Sequence, residues 1–310
     1  MDGEYSPTES MDRESRSNRY YRNAVERHWD PAEIDLETDL ANLRAYADET
    51  DDFDRADLDA IVTGIAKFGA GEDAVTEDLA PLAVVLDDID DQLFLTTQLY
   101  EEAKHADFFD RYWRTVVGGV EDYLGWERTS PRDDRWFDEA YLELFERNRR
   151  TMHRLLEDDT PENRAIAYCH YHLTVEGILA QTGYYGMSRS FGGEFDDLPH
   201  LPGLVEGFDR IRSDEGRHVG FGMNQLKALV EMGEIAPSLI EETVADLLPL
   251  VQGITDDDRF APDEEPVGLQ PGELATYAME KHEQRLTQIA DASADVPDVE
   301  ELVAIGDGDR

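Results

Sequence analysis

The chain has 310 residues with 72 acidic against 28 basic side chains, a formal net charge of −44. It is long enough to bury one good-sized core and too acidic to bind nucleic acid or an anionic membrane through a general basic surface. Cys169 is the one cysteine, which excludes an intrachain disulfide and any cysteine-based zinc or iron–sulfur site. No apolar run is long enough to span a bilayer and the start has no apolar signal core, so a cytoplasmic protein is expected. Only Lys67, Lys104, Lys227 and Lys281 are lysines, and acidic residues are spread along the whole chain. That pattern reads as adaptation to a salty cytoplasm, of the halophilic archaeal kind.

Residues 1–18 are polar and 293–310 acidic, and both are expected to be disordered, leaving 19–292 as one domain. Between them apolar residues recur at three- and four-residue spacing, without the alternation of strands, so the class is all-α. The spacing predicts helices over roughly 55–86, 88–118, 136–158, 161–189, 203–232, 237–253 and 271–291. Thr160 before Pro161 is a helix start: the hydroxyl can cap, and proline at the first helical position gives up an N–H that has no partner anyway. Pro202–Gly203 and Pro271–Gly272 mark two further starts.

Two Glu-x-x-His tetrads, EAKH at Glu102–His105 and EGRH at Glu215–His218, fall inside predicted helices. Residues three apart share a helix face, so each tetrad aims a carboxylate and an imidazole at one point. One such pair in so acidic a chain is weak evidence, because solvated helix faces often carry it. Here Leu99, Phe108 and Phe109 surround the first, and Ile211, Val219 and Phe221 the second. A Glu and a His buried by such neighbours need partners, which a metal supplies.

Two tetrad helices plus one Glu from each of two more make the inward-facing di-metal site of ferritin-like four-helix bundles. Glu72 in KFGAGEDAVTEDL and Glu176 in YHLTVEGILAQTGYYG are placed to complete it, and Leu173, Val175, Ile178 and Leu179 make the Glu176 helix apolar nearly all round. The expected metal set is Glu72, Glu102, His105, Glu176, Glu215 and His218. His172 reads as a hydrogen-bonded or core histidine, and Asp73, Glu77 and Glu101 read as solvated. Asp214 is either solvated or the acceptor of a ligand histidine's free ring N–H. Four carboxylates and two imidazoles suit iron and manganese better than copper or structural zinc.

The segments GEDAVTEDLAPL, EEAKHADFF, YHLTVEGILAQTGYY and DEGRHVGFG resemble the ribonucleotide reductase small-subunit superfamily and, within it, the ligand-binding oxidases with a mixed manganese/iron centre. The resemblance implies one manganese and one iron per chain, with di-iron as the variant. It implies Glu72, Glu102 and His105 around manganese, Glu176, Glu215 and His218 around iron, and a bridging carboxylate such as Glu102. It also implies dioxygen as reactant, a homodimer, and a long-chain fatty-acid-like ligand in an apolar tunnel for which Leu179, Tyr184, Tyr185 and Met187 are candidates.

Val75 and Tyr171 match the valine and tyrosine that these oxidases join through an ether link. Val75 is three residues after Glu72 and shares its face. Tyr171 is five before Glu176, a spacing that an α-helix does not align but a π-bulge helps to. Phe109 stands one turn after His105, where most reductase small subunits carry a radical tyrosine, and no tyrosine follows Tyr277. Both favour the oxidase over the rival reading, a reductase small subunit with Phe at the radical position. A metal-storage protein without catalysis is the alternative from a different class.

Overall fold

The computed structural model describes residues 11–255, 268–270, 272–290 and 299–302. Among them there is no strand, and the fold is the all-α, ferritin-like one. Helices α1 (Arg16–Glu26) and α2 (Glu37–Glu49) lead into α3 (Arg55–Asp78), α4 (Ala80–Val85) and α5 (Ile89–Tyr112). A π turn (Trp113–Val117) carries α5 into α6 (Gly118–Leu124), and α7 (Glu139–Arg154) follows. Then α8 (Pro161–Tyr168), a π segment (Cys169–Ala180) and α9 (Gln181–Phe191) run as one rod. The last described elements are α10 (Pro202–Glu231), α11 (Pro237–Thr255), α12 (Glu273–Ala290) and α13 (Val299–Leu302). Helix α3 packs on α5, and α10 packs on both α5 and the π segment, forming the bundle that holds the site.

Local chemistry sets these boundaries. Asp54 and Asp57 form a reciprocal capping box at the start of α3, Asp88 accepts from Asp90 N and Asp91 N at α5, and Thr160 accepts from Asn163 N at α8. Each such cap is worth about 1 kcal/mol. The predicted 55–86 helix is interrupted at Leu79, because Pro81 can sit only in a first turn. Helix α10 has no side-chain cap of its own. Asp39 of α2 supplies it, accepting from Gly203 N and Leu204 N at 2.8 Å each.

Two expectations are corrected. Within 1–18, helix α1 begins at Arg16: Ser17 Oγ donates to Asp91 Oδ1 (2.5 Å) and Asn18 Nδ2 to Asp90 Oδ1 (2.8 Å). Polar contacts anchor this end of the helix, so its composition gave no sign of order; residues 1–10 lie outside the described ones. Within 293–310, α13 buries Val299 and Leu302 and packs on α10, while 293–298 and 303–310 lie outside the described residues.

Two apolar clusters flank the centre of the bundle. One contains Phe94 and Phe221, the other Phe108, Phe109, Phe208 and Ile211. Helices α5 and α10 approach closely at Gly207, where a Cβ would stand 2.0 Å from the Phe108 ring, so only glycine fits.

Candidate metal centre

All six expected donors meet between these clusters. They form two interlocked quartets, Glu72, Glu102, His105 and Glu215 on one side and Glu102, Glu176, Glu215 and His218 on the other. Glu215 is thus common to both groups, as Glu102 is. Helix α3 brings Glu72, α5 brings Glu102 and His105, the π segment brings Glu176, and α10 brings Glu215 and His218. The most exposed of the six is Glu72, at 6 %, so all six are withdrawn from bulk solvent.

The π segment explains the position of Tyr171. Its five-residue repeat lets Tyr171 and Glu176 serve the same side. Gly177 permits the wide turn, since a Cβ there would meet the His172 carbonyl oxygen at 2.9 Å. Tyr171 donates its phenolic hydrogen to Glu102 Oε1 at 2.8 Å.

Each ligand histidine is held from behind. His105 Nε2 lies 3.1 Å from Asp214 Oδ2, and His218 Nε2 lies 2.9 Å from Glu101 Oε2. A carboxylate can only accept, so each Nε2 carries hydrogen and, in the neutral ring, the inward Nδ1 keeps its lone pair. Those Nδ1 atoms are buried without a hydrogen-bond partner, as are Glu176 Oε2 and Glu215 Oε2. The two Nδ1 atoms face carboxylate oxygens at 3.1 to 3.5 Å. Bonds of about 2.1 Å to a shared cation, at right angles, place neighbouring donors about 3 Å apart. The donor set therefore fits two cations.

Charge points the same way. Four buried glutamates match two divalent ions, while Asp214 and Glu101 match Lys104 and Arg217: Lys104 Nζ lies 2.8 Å from Asp214, and Arg217 donates to both carboxylates. Without cations, burial pushes Glu72 up to about 8 and raises Glu176 and Glu215. Burial opposes charging of His105 and His218, but the surrounding carboxylates overcome it and raise both. Asp214, despite its burial, is held well below the usual range by His105, Arg217 and Lys104.

Glu101 corrects an expectation. It is not solvated but 2 % exposed, bonded to His218 and Arg217. Asp73 and Glu77 are exposed, Asp73 pairing with Arg132 at 2.6 Å. Sequence reasoning missed Trp29, whose Nε1 donates to Asp214 at 2.8 Å, and Gln98, whose Nε2 donates to Glu176 Oε1 at 3.0 Å. Gln98 could have been found from its place one turn before Glu102. Trp29 lies far off in sequence and gave no signal.

A cavity of about 750 Å³ opens from the centre, lined by Glu72, Val75, Glu102, Tyr171, Glu176 and Glu215 at the donors. Phe68, Leu179, Tyr184, Met187 and Phe191 continue its wall. Tyr185 is not on it; that ring stacks on Tyr277 (4.3 Å) and donates to Glu273. Among the described residues, no helix is long and apolar enough to cross a membrane.

The fold and donors together define a ferritin-like protein with a carboxylate- and histidine-lined centre. Solved structures of R2-like ligand-binding oxidases are similar to it in shape and sequence. One with an aerobically reconstituted Mn/Fe cofactor is 28% identical with a TM-score of 0.77, covering 93% of this chain and 98% of that one. A variant with the same kind of cofactor is 29% identical, TM-score 0.78, covering 93% and 99%. Another variant, carrying Fe/Fe, is 28% identical, TM-score 0.77, covering 93% and 98%. No protein-family model matches the chain.

Proposed function

We propose that this chain is a dioxygen-activating oxidase with one manganese and one iron ion, di-iron being the variant form. It takes a long-chain fatty-acid-like ligand in the cavity and joins Val75 to Tyr171 by an ether bond. The observation that carries this reading is that two interlocked donor quartets open onto a cavity whose wall includes both Val75 and Tyr171. Glu72, Glu102 and His105 would hold manganese, and Glu176, Glu215 and His218 would hold iron, Glu102 and Glu215 being common to the two donor groups. When bound, the two ions supply electrons to dioxygen and a strong oxidant in return.

The chain's own groups prepare the bond. Burial and the Glu102 carboxylate raise the Tyr171 phenol well above its ordinary value, so it stays protonated, and Glu102 Oε1 stands ready to accept its hydrogen. One C–H of Val75 and the O–H of Tyr171 are lost, a C–O bond forms, and two electrons and two protons pass to dioxygen. The apolar wall from Phe68 to Phe191 takes the ligand's hydrocarbon chain and keeps bulk water from the donors. Phe109, at the radical position of the reductase alternative, is a buried phenylalanine stacked on Phe68 (5.8 Å), a ring with no hydroxyl to oxidise. The same reading takes the protein as a cytoplasmic homodimer with a salt-adapted surface.

Intact mass after aerobic loading with manganese and iron tests this. Loss of two hydrogens is expected in the natural chain and none in Tyr171→Phe. An unchanged mass in the former, or a persisting loss in the latter, overturns the ether assignment.

A further inference from the structure

Gln98 is fully buried on α5, one turn before Glu102. Its Nε2 lies 3.0 Å from Glu176 Oε1 and 3.4 Å from Glu102 Oε1. Its carboxamide oxygen lies 3.4 Å from Nε2 of His172, which is also fully buried. An amide has a donating and an accepting end, and a carboxylate rewards only the first. Glu176 therefore takes the amide N–H and turns the carboxamide oxygen towards His172, whose Nε2 carries the hydrogen that meets it.

The π segment carries both His172 and Glu176, so one side chain of α5 grips it at two points. The grip is selective within Glu176. Oε1 takes the amide hydrogen, while Oε2 is buried with no partner. It also favours one side of the centre, since the contact to the shared Glu102 is the longer one at 3.4 Å. Among the described residues, the Glu72 side chain has His105 as its close partner and receives no hydrogen bond from a neutral side chain.

We propose that Gln98, its carboxamide oxygen held by His172, is a positioning residue that holds Glu176 for metal and sets the affinity of the Glu176–His218 half of the centre far more than that of the other half. This rests on the di-metal reading. The conventional alternative, a buried amide that only cements α5 to the π segment, would affect both halves alike or neither.

The test is anaerobic manganese(II) binding to the full chain, followed by electron paramagnetic resonance, with manganese anomalous diffraction at one ion per chain. The natural chain should take two ions. Gln98→Leu should weaken one binding step about tenfold and leave the other within about twofold. The anomalous signal beside Glu176 should fall while that beside Glu72 persists. His172→Phe, which keeps every donor and the amide, should weaken the same step by less, and it carries the test if Gln98→Leu does not fold. Two-ion binding with both steps shifted equally, or neither shifted, overturns the proposal. A natural chain that takes fewer than two ions removes the di-metal reading itself and this role with it, a failure visible before any variant is made.

Discussion

Asp214 braces His105, a histidine on the opposite helix, at 3.1 Å, although it lies only four residues before His218 on its own. Glu101 returns the arrangement by bracing His218 from α5, and Arg217 binds both carboxylates. Each tetrad thus depends on the neighbour of the other. Replacing Asp214 by Asn or Glu101 by Gln should lower metal affinity about 10- to 100-fold, measured by competition with a chelator. Asp214→Asn should also destabilise the metal-free fold by about 3 kcal/mol, since Lys104 and Arg217 are left buried with less countercharge. Unchanged affinity in both variants would contradict the bracing role.

Removing one donor from either outer edge should halve the metal content. Glu72→Ala and Glu176→Ala each take a residue from only one quartet, whereas Glu102 and Glu215 belong to both. Elemental analysis should read one ion per chain in the first two variants and near zero in Glu102→Ala. Two ions retained in Glu72→Ala would remove that residue from the set.

The metal-free protein should lose stability as pH rises. Burial puts Glu72 at about 8, and Glu176, Glu215 and both histidines are raised as well. Each holds its proton to higher pH folded than unfolded, so the contribution of each glutamate is full below the ordinary glutamate range and that of each histidine below the ordinary histidine range, and each is lost as pH climbs through its raised value, about 8 for Glu72. Glu102 and Asp214 have the opposite sign, and their contribution is lost only in strong acid. Cations replace the held protons, so uptake should release protons, tighten with pH over the same window, and flatten the slope. Thermal midpoints of metal-free and loaded protein at about pH 6 and about pH 8 check this. Equal metal-free midpoints would refute it.

Blocking the cavity should separate ligand from metal. Ala180 lines the wall without belonging to either quartet. Ala180→Phe should exclude about three methylenes of a bound chain, at about 0.8 kcal/mol each, and so weaken a C16 fatty acid by about 50-fold. Metal content should stay at two ions. Unaltered fatty-acid binding by calorimetry would place the ligand elsewhere.

The charge of −44 should make folding depend on salt. Screening relieves repulsion among exposed carboxylates, so the unfolding midpoint should rise steadily with potassium chloride. A flat response would show that repulsion among the exposed carboxylates does not limit stability.

The bundle and the six donors were legible because both tetrads and Glu176 sit among apolar neighbours at helical spacing. Tertiary partners were not. Glu101 looks like any carboxylate of an acidic helix until Arg217 and His218 arrive from α10. Asp39 becomes the cap of α10 only across the fold, and α1 is fixed at its start by Ser17 and Asn18 rather than by an apolar stripe. The five-residue spacing from Tyr171 to Glu176 did point to a local irregularity. Its length, a full π segment over Cys169–Ala180, did not follow from spacing alone.

That widened stretch also acts on what comes after it. Because its turns consume more residues than those of an α-helix, it rotates α9 about the rod's axis relative to α8, and that rotation aims Gly183, Tyr184 and Met187 at the cavity. Excising a single residue between His172 and Gly177 would swing the whole downstream face aside, so the reacting tyrosine and the shape of the ligand chamber answer to one shared offset in winding.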